Sequence, residues 1–275
     1  ITSDFKSGTT GLTYRKLFKN DAYLNLSFAA SGYYQQNNAQ WIEEDKTYTQ
    51  PNRSTYSDTR YSAKALYNKK HNARLTSRYG LIYSLLGYNY DVNIVDETRT
   101  KLVRVSETKG NSSLWQFFAQ TKYSFSKNLT LNAGLHSLHF DLNNKTTLEP
   151  RLGLKWKINP KHSLSAGYGL HEQQQLLSLY FIERTDAEKT IYPNKDLDFT
   201  QAQHFVLAYD FRLTENMRFR VEPYYQILSN LAVEENGPVA MINVETLHHF
   251  NKTLVSEGSG RNYGVDFTLE RFLKN

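Results

Sequence analysis

The run His171-Glu172-Gln173-Gln174-Gln175 sets an imidazole, a carboxylate and three amides at consecutive positions. Such a density of donors and acceptors suits contact with a sugar or a chelate, and binding residues concentrate on loops carried by a rigid scaffold. A merely solvated rim has the same composition. His248-His249 could ligate a metal or haem iron, yet adjacent imidazoles without a spaced third ligand are a weak signal, and no metal is expected. Cysteine is absent, which removes disulfides and thiolate metal sites. A hydrolase would need Ser, His and a carboxylate within hydrogen-bonding distance, and no spacing marks out such a set; nor is there a phosphate-cradling glycine loop. We expect neither a catalytic residue nor a cofactor.

A second group of polar residues gains meaning only from its parity. From Leu114 to Phe125, Trp115, Phe117, Ala119, Tyr123 and Phe125 alternate with Gln116, Gln120, Lys122 and Ser124. A period of two puts these sets on opposite faces of a β-strand. The same rule predicts about eleven strands along the chain. Examples are Leu75 to Leu85, Leu129 to Leu135, Leu148 to Ile158, Leu164 to Leu170, Phe205 to Phe211, Phe219 to Ile227 and Tyr263 to Leu269. Short turns such as Lys19-Asn20-Asp21, Ser126-Lys127-Asn128, Asn159-Pro160-Lys161 and Thr214-Glu215-Asn216 alternate with longer links, among them polar stretches near 37–56 and 91–112 and links near 171–199 and 234–260.

Loops segregated by length, on strands of about 10 to 14 residues, predict an all-β, antiparallel up-and-down transmembrane β-barrel. In such a barrel the apolar set, including Trp115, Leu154 and Phe205, faces lipid and the polar set faces the lumen. Arg151, Lys155, Arg218, Arg220, Glu222, Asp266 and Glu270 then point inward, where they pair across the wall, hold a plug or guide a solute. Gly153, Gly167, Gly169 and Gly264 share that inward parity, consistent with close approach of a plug or with strand curvature.

Composition agrees. The chain has 20 Tyr and 15 Phe against 3 Trp and 2 Met, a usage suited to strands and to membrane-water interfaces. Mean hydropathy is −0.62, as a half-apolar barrel strand allows. The net charge of +6 is dispersed rather than gathered in a stripe, so no nucleic-acid partner is expected. An odd strand count cannot close an antiparallel barrel, so residues 1–275 are expected to be part of a single outer-membrane β-barrel domain truncated at one or both ends.

Ser259-Gly260-Arg261-Asn262-Tyr263-Gly264-Val265-Asp266-Phe267-Thr268-Leu269-Glu270-Arg271 resembles a late barrel strand of TonB-dependent outer-membrane receptors. Leu148-Glu149-Pro150-Arg151-Leu152-Gly153-Leu154, followed by Leu164-Ser165-Ala166-Gly167-Tyr168-Gly169, is similar to the same family's "EPR" hairpin. The resemblance implies a Gram-negative receptor whose barrel has 22 strands, of which this chain would hold about half, around a plug domain expected to lie outside these residues. It also implies as partners outer-membrane lipid, the plug, TonB acting through the plug, and a scarce solute: a ferric siderophore, haem, cobalamin or an oligosaccharide. The alternatives are a passive substrate-selective porin, a soluble β-rich carbohydrate-binding module and, third, an outer-membrane enzyme.

Overall fold

A computed structural model describes residues 2–40, 52–95, 101–186, 189–244 and 251–273. Its strands are β1 (Thr2–Phe18), β2 (Ala22–Ala39), β3 (Asn52–Lys70), β4 (Leu75–Val95), β5 (Leu102–Ser124), β6 (Leu129–Phe140), β7 (Lys145–Thr146) and β8 (Glu149–Lys157). There follow β9 (His162–Gln173), helix α1 (Leu177–Tyr180), the small hairpin β10 (Arg184–Asp186) and β11 (Lys189–Ile191), β12 (Thr200–Thr214), β13 (Met217–Glu234), a 3-10 turn (Met241–Asn243) and β14 (Leu254–Arg271). Eleven strands form one antiparallel sheet in the order β1-β2-β3-β4-β5-β6-β8-β9-β12-β13-β14, with β7 added beside β6. Every step joins chain neighbours, which is the up-and-down order expected of a barrel wall.

Polar side chains close the short turns on their own backbone. Asn72 Oδ1 accepts from the N–H groups of Arg74 and Leu75 at 2.8 and 2.9 Å. Asn159 Oδ1 does the same for Lys161 and His162 at 2.9 and 3.0 Å, and Ser126 Oγ for Asn128 and Leu129, both at 3.1 Å. These are the Asx and hydroxyl turns that Asn and Ser favour.

Among the described residues, none covers the sheet's apolar parity. Leu154 is 41% exposed, Phe205 42% and Phe267 70%, on one face of a single sheet rather than between two. That excludes the packing of a soluble sandwich, in which these rings would be the core. Along one register Tyr168, Phe205, Tyr225 and Tyr263 lie side by side on β9, β12, β13 and β14, as in an aromatic girdle.

The strands outrun the sequence expectation. Residues 91–95 and 102–112, read as a polar link, belong to β4 and β5; β2 runs to Ala39, β3 begins at Asn52, and β14 starts at Leu254 rather than after Gly260. The reason is a change of parity. Up to Leu85 the apolar residues of β4, Ile82 apart, face outward; beyond it Leu86, Tyr90, Val92 and Ile94 take the inward parity and are 2–4% exposed. Outside a hydrocarbon layer the outer face needs no apolar cover, so the alternation serves an inner core. A bulge at Val92/Asn93 turns Val105 and Ser106 together into it.

The connection from β9 to β12 supplies the other half of that core. Leu179, Tyr180, Phe181, Ile182, Leu197 and Phe199 pack with Leu114, Leu138 and Phe140 of the wall. Polar pins hold it: the Glu183 N–H donates to the Val105 carbonyl at 2.7 Å, and Glu107 N–H to Glu183 Oε1 at 2.6 Å. Buried Asn194 donates to the Lys252 carbonyl at 3.1 Å and accepts from Leu254 N–H at 2.8 Å, tying this connection to the one before β14.

In lipid vesicles, Leu154→Arg is expected to cost about 2–4 kcal/mol of folding free energy, whereas Ser163→Arg, inward beside Asp210, should change it by less than about 1 kcal/mol; urea titration of the reconstituted protein measures both. Burial pushes the Tyr180 hydroxyl up to about 12 from its ordinary 10.0, with Asp198 adding to the rise and the Gln175 N–H opposing it. The neutral hydroxyl therefore stabilises the docked connection fully below pH 10.0, and this is lost as pH climbs towards about 12. Near-UV circular dichroism followed against tyrosinate absorbance should show the loss only in that alkaline window.

Candidate functional site

Just below the roofed end, a belt of polar side chains crosses the inner wall. Its rows follow the register: Gln120, Gly134, Arg151, Gly169, His204, Gln226 and Asn262 are successive cross-strand partners from β5 to β14. One row nearer the roof, Phe118, His136 and Glu149 are partners on β5, β6 and β8.

Glu149 is the anchor. Its carboxylate is 1% exposed and accepts three hydrogen bonds: from His136 Nδ1 at 2.8 Å, from Thr147 Oγ1 at 3.2 Å and from an Arg151 terminal nitrogen at 2.8 Å. A carboxylate buried this deeply is tolerable because two of its donors can carry positive charge. His136 Nε2 lies 3.4 Å from the Gln116 side-chain oxygen, which extends the chain to β5. Pro150 between them sits on the outward parity, opposite Leu135.

On the other side, Gln226 Nε2 donates to His204 Nδ1 at 2.7 Å, and Asn262 Nδ2 donates to Gln226 Oε1 at 3.1 Å. The His171 ring meets His204 edge-on at 4.9 Å. The His171 ring lies over Gly169, where a Cβ would stand 2.7 Å from His171 Nε2 and displace the ring. The belt can hydrogen-bond and hold charge. Among the described residues, no group of three or more His, Asp or Glu is placed to hold a metal ion.

The five-residue run is split by the fold. His171 joins the belt, and Gln173 shares its inward parity. Glu172 faces outward, accepting from Gln201 Nε2 at 3.1 Å. Gln175 is structural: it bonds Thr200 Oγ1 at 2.8 Å and the Asp198 carbonyl at 3.3 Å, while its N–H donates to Tyr180. Gln174 has its side-chain oxygen buried without a partner in the protein. His248 and His249 lie outside the described residues.

The inward charges divide likewise. Arg218 bridges Asp210 at 2.5 Å and Glu270 at 3.2 Å, and Arg220 bridges Glu222 at 2.8 Å, so β12, β13 and β14 neutralise one another. Asp266 stands opposite Glu222 in register and is exposed, as is Lys155 on β8. Glu149, His136, His204, Gln226 and Asn262 were missing from the sequence-derived site. Their signal was inward parity at one level of adjacent strands, which becomes visible only once the register is known.

A family model described as "TonB dependent receptor-like, beta-barrel" matches residues 1–274. No curated protein matches the chain in sequence. Among solved structures, the ferric enterobactin receptor PfeA of Pseudomonas aeruginosa superposes with a TM-score of 0.72 at 12% identity, covering 98% of this chain and 41% of that one. The ferric-catecholate import receptor Fiu of Escherichia coli K12 gives 0.66 at 9% identity, covering 97% and 45%. The copper transporter OprC gives 0.66 at 11%, covering 98% and 44%. The chain thus spans less than half the length of each, and identities this low speak to fold alone.

Glu149→Ala would remove the acceptor shared by His136, Thr147 and Arg151, and because the Arg151 side chain is 36% exposed and can be hydrated, the cost should be about 1–3 kcal/mol. We expect a matching fall in unfolding free energy. Arg151→Ala should cost less, because His136 and Thr147 remain on the carboxylate; denaturant titration of the two variants checks the order.

Proposed function

Since the chain belongs to the TonB-dependent receptor β-barrel family, we propose that it is wall from an outer-membrane receptor that imports a large, scarce solute. Residues 1–275 form part of one barrel domain in this reading. The carrying observation is the two-faced sheet: apolar side chains bare on one face, and on the other a hydrogen-bonded belt under a packed roof. A face of that kind is stable only against hydrocarbon, and a lumen lined with donors and acceptors suits a solute that sheds part of its water on entry.

The family consists of transporters and receptors rather than enzymes, and we infer no catalytic role for the belt. Of the similar proteins one is named for ferric enterobactin, one for ferric catecholates and one for copper, which supports a metal chelate as the class of solute to test before haem, cobalamin or oligosaccharides. The plug domain of the same protein, TonB acting through it, and the lipid of the outer membrane are the proposed partners.

Growth of the parent bacterium with a ferric chelate as limiting iron source tests the reading. The intact receptor should support uptake that disappears when TonB is removed, and His204→Ala with Gln226→Ala should reduce it about tenfold through loss of charge-free hydrogen bonds worth about 0.5–1.5 kcal/mol each. Uptake that persists at full rate without TonB would mean a passive pore instead.

A further inference from the structure

The inner wall segregates its charge. On β13 Arg218 and Arg220 each have a carboxylate partner. On β4 to β8 the situation reverses. Among the described residues no carboxylate lies within ion-pair distance of Arg78, Lys122 or Lys155, and Arg151 uses only a terminal nitrogen on Glu149. Arg151 Nε is buried with no partner in the protein.

Register makes these cations converge. Lys122, Asn132, Gly153 and Gly167 are successive cross-strand partners on β5, β6, β8 and β9. Arg151 and Lys155 flank Gly153 on its own strand, each about 7 Å along it, and Lys122 starts about 10 Å across, within reach of an extended side chain. The depression there has a volume of about 380 Å³ and is lined by Arg78, Gln120, Lys122, Asn132 and Arg151 over Gly153. Nothing in the wall requires that glycine: a Cβ on Gly153 meets no atom within 4 Å, and one on Gly167 meets only a carbonyl oxygen at 3.9 Å. The space over both glycines is therefore left open by the wall's own packing.

We propose that this hollow is an oxyanion site: it receives a carboxylate or like anionic group presented from the lumen, with Arg78, Lys122 and Arg151 as its donors. The group comes either from an anionic solute or from an acidic side chain of polypeptide seated in the lumen. The site rests on the receptor reading only in that the inner face must look into a lumen; uptake assays test the rest separately. Guanidinium and ammonium donors aimed at one point recognise an oxyanion by charge-assisted hydrogen bonds. The side-chain-free floor lets the bound group approach the backbone.

The test uses the full-length receptor in detergent, with citrate as the probe. If the group is borne by a solute, citrate binds in a salt-sensitive manner, and Arg78→Gln with Lys122→Gln weakens it about tenfold or more. If polypeptide already fills the hollow, the unaltered protein binds no citrate, and the double variant exposes its lumenal segment to protease several-fold faster, by about the factor that one lost charge-assisted bond implies. Arg78→Lys with Lys122→Arg, which keeps both charges, should preserve either behaviour. Should the glutamine variant fail to fold, Gly153→Asp provides the second arm, because a carboxylate placed in the hollow ought to raise the melting temperature and abolish citrate binding. Citrate binding and proteolysis unchanged in the double variant, with no stabilisation by Gly153→Asp, would overturn the site.

Discussion

In hydrocarbon a backbone N–H or C=O has no partner except another backbone group, and that constraint organises this protein. It demands continuous ladders, so the strands are long and each pairs with its neighbours in the chain. It also leaves side chains as the only means of telling lipid from lumen. The apolar parity thus lies bare while the polar parity turns inward, the reverse of a protein folding in water. Tight turns at one end satisfy their own amides through Asn and Ser, because a short connection has no other structure to lean on.

Above the apolar band the same strands obey the opposite rule. On β4 the apolar set changes from Tyr79, Leu81, Tyr83 and Leu85 to Leu86, Tyr88, Tyr90, Val92 and Ile94, with the backbone still extended. The band ends where solvent begins, and the hydrophobic effect then drives the rings inward against the β9–β12 connection. Two kinds of stabilisation share one continuous sheet. The roof over the inner face is held as a soluble core is, by buried rings and by the twin bonds of Asn194.

Between these regions lies the polar belt, whose members are ordered by what each must offset. Buried Glu149 needs three donors and has them. The arginines of β13 lie beside carboxylates one strand away. Lys122 of β5 and Lys155 of β8 have none among the described residues, and the concavity beside Lys122 is unfilled by the wall. A lumen that is neutral on one side and positive on the other presents an oriented field to whatever occupies it.

Much of this was legible in the residues. The period-two pattern located eleven strands and assigned Arg151, Arg220 and Glu270 to one face, Leu154 and Phe205 to the other, because side-chain direction along a strand is a local property. Strand ends were misread near 91–112, where the eye looking for lipid-facing apolar residues passes over an alternation of inverted phase such as Tyr88, Tyr90, Val92 and Ile94. The run His171 to Gln175 looked like one cluster and is three, since neighbours in a strand point apart and the residues beyond Gln173 leave the sheet. Which inward side chains meet was decided only by tertiary structure. Glu149 reaches His136, and Gly153 lies between Asn132 and Gly167, through pairing registers that join positions well separated in the chain, and no local pattern encodes a register between two strands.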